Sequence, residues 1–166
     1  SRMDKDKQNA SEELMQIVVF KLGEEEFGVD ILQAREIETL DMGVTRVPKA
    51  PSFVEGVINL RGEVIPIVDM RKRFSLTLPP LDYNSRIIIV EMGEGGNKVG
   101  LIVDTVVGVL RIPMSAIEPA PDIVKSIDQA FISGVARVDD RLIVLLNLER
   151  TLSTEEVREL SEVKLG

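Results

Sequence analysis

Glu55-Gly-Val-Ile-Asn-Leu-Arg-Gly-Glu-Val-Ile-Pro-Ile-Val-Asp-Met70 is the stretch on which the reading of this chain turns. Two Val- and Ile-rich runs, Val57–Leu60 and Val64–Val68, flank Arg61-Gly62-Glu63. Short β-branched runs on either side of a Gly-containing connection predict a β-hairpin. Gly62 supplies the positive φ that a tight connection demands, at no steric cost. Arg61 is left at the apex, where its planar, permanently charged fork of five donors reads either as a solvated turn residue or as a recognition group.

Outward from the hairpin, the next informative feature is that it occurs twice. Val57-Ile-Asn-Leu-Arg-Gly-Glu-Val-Ile-Pro-Ile-Val-Asp69 aligns without gaps over Val135-Ala-Arg-Val-Asp-Asp-Arg-Leu-Ile-Val-Leu-Leu-Asn147, an offset of 134 − 56 = 78 between Gly134 and Gly56. Phe27-Gly-Val-Asp-Ile31 resembles Val99-Gly-Leu-Ile-Val103, an offset of 100 − 28 = 72. Each copy then holds a hairpin, a third strand, a Pro-rich connector and a second hairpin. About five strands per copy are enough for a small barrel with protected edges. Copies of roughly 70 residues are each marginal alone, so the two must share an apolar seam. Ile87–Val90 and Leu142–Leu146, apolar on both faces, are the candidates for it.

The predicted fold is therefore all-β with minor helices: two small five-stranded barrels packed together, with a short C-terminal helix. The first copy covers approximately 15–78 and the second 84–152, with exchange of strands between them left open. Ser1-Arg-Met3 reads as a cloning remnant, and the polar residues up to Glu13 as a disordered tail. Strands are predicted at Met15–Leu22, Phe27–Ile31, Glu36–Leu40, Arg86–Met92, Val99–Val103 and Val106–Ile112, with a last hairpin at Ile132–Val138 and Leu142–Leu146. Leu32–Arg35 reads as one helical turn and Arg71–Phe74 as a short turn. Pro66 suggests that its strand lies at an edge or ends early. A short helix is expected near Pro121–Ser126. Thr154–Leu165 reads as an amphipathic helix, capped by Ser153 or Thr154 and docking through Val157 and Leu160. Asp69 and Asn147, at equivalent places, should satisfy backbone groups near strand ends, and Gly56 and Gly134 should serve backbone geometry.

Composition narrows the chemistry. The 166 residues carry a net charge of −8 and contain no Cys, His or Trp. Triads built on His and sites built on thiolate or imidazole are thereby excluded. The acidic balance argues against binding a nucleic-acid backbone. No apolar run reaches the ~20 residues of a membrane span. No Walker loop or dinucleotide fingerprint is present, and Gly93-Glu-Gly-Gly96 reads as a hairpin tip. A carboxylate-dependent hydrolase is the enzymatic reading that survives. Two similar barrels side by side leave a groove suited to helices or loops of another protein, and the hairpin tips differ in charge, Arg61-Gly62 against Asp139-Asp140. An adaptor with more than one partner fits this pattern.

Phe27-Gly-Val-Asp-Ile31, Glu36-Ile37, Phe53-Val-Glu-Gly-Val-Ile-Asn-Leu-Arg-Gly62 and Ile65-Pro-Ile-Val-Asp69 resemble the CheW family of bacterial chemotaxis coupling proteins, from about Met15 to the closing helix. The resemblance implies two SH3-like barrels and a non-catalytic bridge without metal or cofactor. It implies, as partners, the cytoplasmic tip of methyl-accepting receptors and the regulatory domain of the CheA histidine kinase. The expected location is the cytoplasm, at membrane-associated arrays, without membrane insertion. Carried over by position, the receptor-facing set is Ile31, Ala34, Glu36, Gly56 and Arg61. Ala34 departs from the larger aliphatic residue common there. No short motif marks the kinase-facing surface, which is expected on the barrel edge of one copy. The fold also occurs in CheA regulatory domains and CheV proteins. With no kinase nucleotide-binding segment or receiver domain in the chain, a stand-alone coupling protein is the best match.

Overall fold

The computed structural model describes residues 13–120, 127–152 and 157. The expected tail, the expected helix at 121–126 and all of the expected closing helix except Val157 lie outside them. Val157 itself is buried in the core between the two sheets.

Eleven strands form two sheets among the described residues. They are β1 (Leu14–Leu22), β2 (Glu25–Asp30), β3 (Ala34–Thr39), β4 (Val54–Leu60), β5 (Glu63–Asp69), β6 (Arg86–Met92), β7 (Asn97–Val103), β8 (Thr105–Pro113), β9 (Ile117–Glu118), β10 (Ile132–Val138) and β11 (Arg141–Leu146). Two four-residue helices, α1 (Met70–Arg73) and α2 (Leu148–Thr151), follow β5 and β11. The five-stranded sheet has the order β3-β6-β7-β5-β4, and the six-stranded sheet β8-β1-β2-β11-β10-β9. Together they give the predicted all-β, two-barrel architecture with minor helices, one barrel gaining the two-residue β9 as a sixth strand.

The strand order shows an exchange. The first hairpin of each sequence repeat joins the second hairpin of the other: β5 runs parallel to β7, pairing Ile67 with Gly100, and β11 runs parallel to β2, pairing Leu145 with Gly28. These are the same rung twice, since 67 + 78 = 145 and 28 + 72 = 100. The five-stranded sheet is consequently one continuous segment, and the six-stranded sheet closes around it from both ends of the described chain.

Strand periodicity divides the core three ways. Ile17, Val19, Ile112, Ala136, Ile143 and Leu145 fill the six-stranded barrel, and Ile58, Ile65, Ile67, Ile87, Ile89 and Ile102 the five-stranded one. The alternate residues, including Val18, Phe20, Val57, Val68, Ile88, Val90, Val144 and Leu146, form the seam. Both runs read as seam strands thus serve two cores, one on each face. Aromatic side chains are concentrated in the seam, where Phe20, Phe27, Phe74 and Phe131 follow one another at centroid spacings of 5.8–5.9 Å. The Arg73 guanidinium lies 4.9 Å from the Phe53 ring centre and 4.5 Å from that of Phe131. These two rings are repeat counterparts (53 + 78 = 131), so one cation is held between twin aromatics.

Two expectations are corrected. Pro66 does not mark an edge: β5 lies between β4 and β7. Pro66 sits opposite Val57, whose N–H and C=O both turn away to Thr45. The missing N–H therefore faces β7, and pairing on that side starts one residue later, at Ile67. The twin strand β11 already pairs at Ile143 and Val144, the counterparts of Ile65 and Pro66. Proline shortens one ladder and leaves the strand in place. Leu32–Arg35 is not a helical turn either. Gln33 N–H donates to Asp30 O and Ala34 N–H to Ile31 O, and the Asp30 carboxylate takes the N–H of Leu32. This tight turn passes the chain between the sheets and ends where β3 begins.

Asp69 and Asn147 act as anticipated. The Asp69 side chain accepts from Arg71 N at 2.9 Å and caps α1; that of Asn147 accepts from Arg150 N at 3.0 Å and caps α2.

Candidate functional site

Arg61 and Gly62 connect β4 to β5 with φ of 50° and 85°. Positive φ at both positions is the geometry of a type I′ turn, whose twist matches the flanking strands. The Asn59 side chain accepts from Gly62 N at 2.9 Å and locks the turn. Asn, Arg and Gly in Asn59-Leu-Arg-Gly62 are thus a turn lock, an apex and a hinge-free corner. Arg61 is 68% exposed in its side chain, and its Nη2 donates to Glu36 Oε1 at 2.5 Å. Glu36 lies on β3, the opposite end of the sheet order, so this bond joins the first and last strands of the five-stranded sheet. The hydrogen bond that Arg61 donates to Glu36 raises the Arg61 pKa above its ordinary value, and the charges of Glu36, Glu38 and Glu63 act in the same direction. A guanidinium has five N–H groups, so one bond to Glu36 aims the fork and leaves donors for a visitor.

The other predicted site residues fall into two places. Ile31 and Ala34 bracket the β2–β3 turn, and both are half-buried against the seam. Gly56 is buried, with φ of 145°, at the bulge where β4 slips register against β5. A Cβ there would land on the carbonyl oxygen of Thr45 and 3.0 Å from Arg46 Cα. Gly56 therefore shapes the strand and offers no side-chain contact. Five residues separate it from Arg61 along β4, about 16 Å at ~3.3 Å per residue. The structure brings Glu36 and Arg61 into contact, sets Ile31 and Ala34 at the entry to the same strand, and keeps Gly56 as scaffold.

Two features escaped the sequence reading. Ile37 and Leu32 are exposed, at 46% and 75%, on the segment that carries Ala34 and Glu36. The signal for Ile37 was present in the alternation of Ala34-Arg-Glu-Ile-Glu-Thr39, where Glu36 and Glu38 take the half-buried positions and Arg35, Ile37 and Thr39 the open ones. A second ion pair, Arg35 Nε to Glu91 Oε2 at 2.7 Å, fixes β3 to β6 beside it. The result is a firm edge strand with an aliphatic side chain framed by charges.

Two acidic groups outside this site line a depression and are engaged there. A depression of about 440 Å³ is lined by Gly23, Leu78, Pro79, Pro80, Asp82 and Asp104, among others. Its Asp104 accepts from Gly23 N at 2.7 Å and faces Arg71 Nη1 at 3.5 Å, and its Asp82 accepts from Asn84 N at 2.8 Å. Among the described residues no cluster of acidic side chains could hold a metal ion, and no helix is long and apolar enough to cross a membrane.

A twinned β-barrel body bearing a rigid turn with an aimed arginine, and an edge strand that exposes an aliphatic side chain, is the build of a protein-docking module. The chain belongs to the CheW-like family: the CheW-like domain model matches residues 16–156. It is 36% identical over 142 residues to the chemotaxis protein CheW of Klebsiella aerogenes, covering 86% of this chain and 84% of that one. It is 31% identical over 155 residues to the chemotaxis protein CheW of Treponema pallidum, with coverage of 92% and 91%. Among solved structures it resembles the scaffolding protein TtCheW from Thermoanaerobacter tengcongensis, with a TM-score of 0.79 and 42% identity over 87% of this chain and 96% of that one.

Proposed function

We propose that the protein is a chemotaxis scaffold that couples the cytoplasmic tips of methyl-accepting receptors to the regulatory domain of the CheA kinase, by binding and without turnover. It works in the cytoplasm, at receptor arrays on the membrane. The observation that carries this reading is the Arg61–Glu36 pair: an exposed cation on a locked turn, aimed by a carboxylate on the edge strand. A helix docked along β3 would meet the exposed side chains of Leu32 and Ile37, and a segment reaching the β4–β5 turn would meet the guanidinium. Ile31 and Ala34 set the height of the β2–β3 turn under that helix, and Gly56 lets β4 bend. The kinase domain takes a separate surface. The free edge of the six-stranded sheet suits it, since β8 leaves Val107 and Val109 about half exposed. The relatives matched are named chemotaxis protein CheW, which supports the coupling-protein reading.

The test is Arg61→Glu, measured against a receptor-tip fragment and, separately, the kinase regulatory domain. Arginines at interface centres are worth about 2 kcal/mol or more, so receptor affinity should fall at least ~30-fold. Kinase-domain binding and the melting temperature should hold, because an exposed pair contributes little to folding. Unchanged receptor affinity would refute the assignment.

A further inference from the structure

Two ion pairs stitch the exchanged hairpins together, and their polarity is inverted. In the six-stranded sheet, Glu26 on β2 receives both Nε and Nη2 of Arg141 on β11, at 2.9 and 2.6 Å. In the five-stranded sheet, Lys98 on β7 donates to Glu63 on β5 at 3.0 Å. These are the same position twice, since 26 + 72 = 98 and 63 + 78 = 141. The acid is on the first hairpin in one sheet and on the second hairpin in the other.

Apart from Pro66, which delays the start of the β5–β7 ladder where Val144 pairs normally, the other groups at this junction do not distinguish the repeats. Gly28 and Gly100 both face a barrel interior, where an added Cβ would press on Ile17 and Leu145 or on Ile67 and Ile87. Ile67 and Leu145 occupy the same rung. A chain in which each repeat closed its own barrel, β2 on β5 and β7 on β11, would keep these apolar contacts. It would also set Glu26 diagonally across from Glu63 and Lys98 diagonally across from Arg141, two like-charge pairs within reach of these long side chains, which disfavours that pairing. Order of synthesis favours that alternative, because β1 to β5 are all made before β7 and β11 exist.

We propose that the inverted pairs Glu26–Arg141 and Glu63–Lys98 form a charge code that selects the strand-exchanged assembly over the unexchanged one. Each pair alone adds little, being partly exposed. Their effect is discrimination: attraction twice in one arrangement becomes repulsion twice in the other.

The experiment is refolding of the full chain from urea, with pulsed hydrogen exchange reporting when each strand gains protection. Glu26→Lys/Lys98→Glu makes the native junctions repulsive and the unexchanged ones attractive. It should refold at least about tenfold more slowly, with β2 protected together with β5 before β11. Adding Glu63→Lys and Arg141→Glu inverts all four charges and makes the native junctions attractive again. This quadruple variant should refold within about twofold of the unsubstituted chain, with β2 and β11 protected together. A double variant at the unsubstituted rate overturns the proposal. So does a quadruple variant as slow as the double, because the charges would then act through something other than strand choice. If the double variant fails to fold, recovery in the quadruple still supports the code, and failure of both overturns it.

Discussion

Gly56→Ala separates the shape of the site from its chemistry. Gly56 holds φ of 145°, which a residue with a Cβ avoids, and its backbone runs against Thr45. Two hydrogen bonds of 2.8 Å, Thr45 N–H to Val57 O and Val57 N–H to Thr45 O, close the bridge beside it. A methyl group at residue 56 forces either the strained φ to persist, at about 1–3 kcal/mol, or the bridge to open, at about 0.5–1.5 kcal/mol for each bond. With part of both incurred, the loss is about 2–5 kcal/mol. The assay is equilibrium unfolding in urea, followed by circular dichroism. Fluorescence is a poor probe, since the chain has no Trp and Tyr83 is 87% exposed. Gly134→Ala is the matched control at the counterpart bulge. Its Cβ would meet Glu118 O at 2.9 Å without a left-handed φ, and the loss should be about 1–2 kcal/mol. A loss below ~1 kcal/mol for Gly56→Ala, or one no larger than for Gly134→Ala, would refute the reasoning. Receptor binding lost by Gly56→Ala should then track stability, whereas that lost by Arg61→Glu should not.

Two further outcomes follow from the seam and the cap. Arg73→Ala removes a cation from between Phe53 and Phe131 and its 2.7 Å bond to Thr151 O; stability should fall by about 2–5 kcal/mol in urea unfolding, with Arg73→Lys recovering only part because a compact ammonium lacks the planar fork. Burial raises the Asp69 pKa above the ordinary carboxylate value, so the native state holds its proton more tightly than the unfolded chain and the charged form costs stability near neutral pH. That cost is relieved as pH falls through the raised folded value. Asp69→Asn keeps the cap, as Asn147 does at the counterpart position, and should match or exceed the unsubstituted chain at pH 7. Its advantage should shrink on acidification, measured as the difference between two urea series.

Much of this protein is legible in one dimension because strands write their pattern locally. Val- and Ile-rich runs, turn residues and a repeated block locate the hairpins within two or three residues. Arg61-Gly62 announces a tight turn with an exposed apex, and the Asn59 lock shows only in the structure. The same locality explains the two misreadings. Pro66 is judged by the hydrogen bond it lacks, and only the neighbours reveal that the gap falls where a ladder begins. Leu32–Arg35 carries helix-tolerant residues, yet the Asp30 side chain ends the strand in a turn instead. Arg73 gave no signal, because two phenylalanines 78 residues apart become its walls only after the sheets meet.

What the amino-acid order alone determined is the inventory: two copies of a β module, their hairpins, their caps and the arginine at one tip. What only the tertiary structure decided is which hairpin belongs to which sheet. Equivalent repeats present interchangeable apolar faces, so hydrophobic pattern cannot choose between pairing within a copy and pairing across copies. In the charge code proposed above, that choice rests on the inverted ion pairs, contacts between residues far apart in the chain that exist only once the chain has folded.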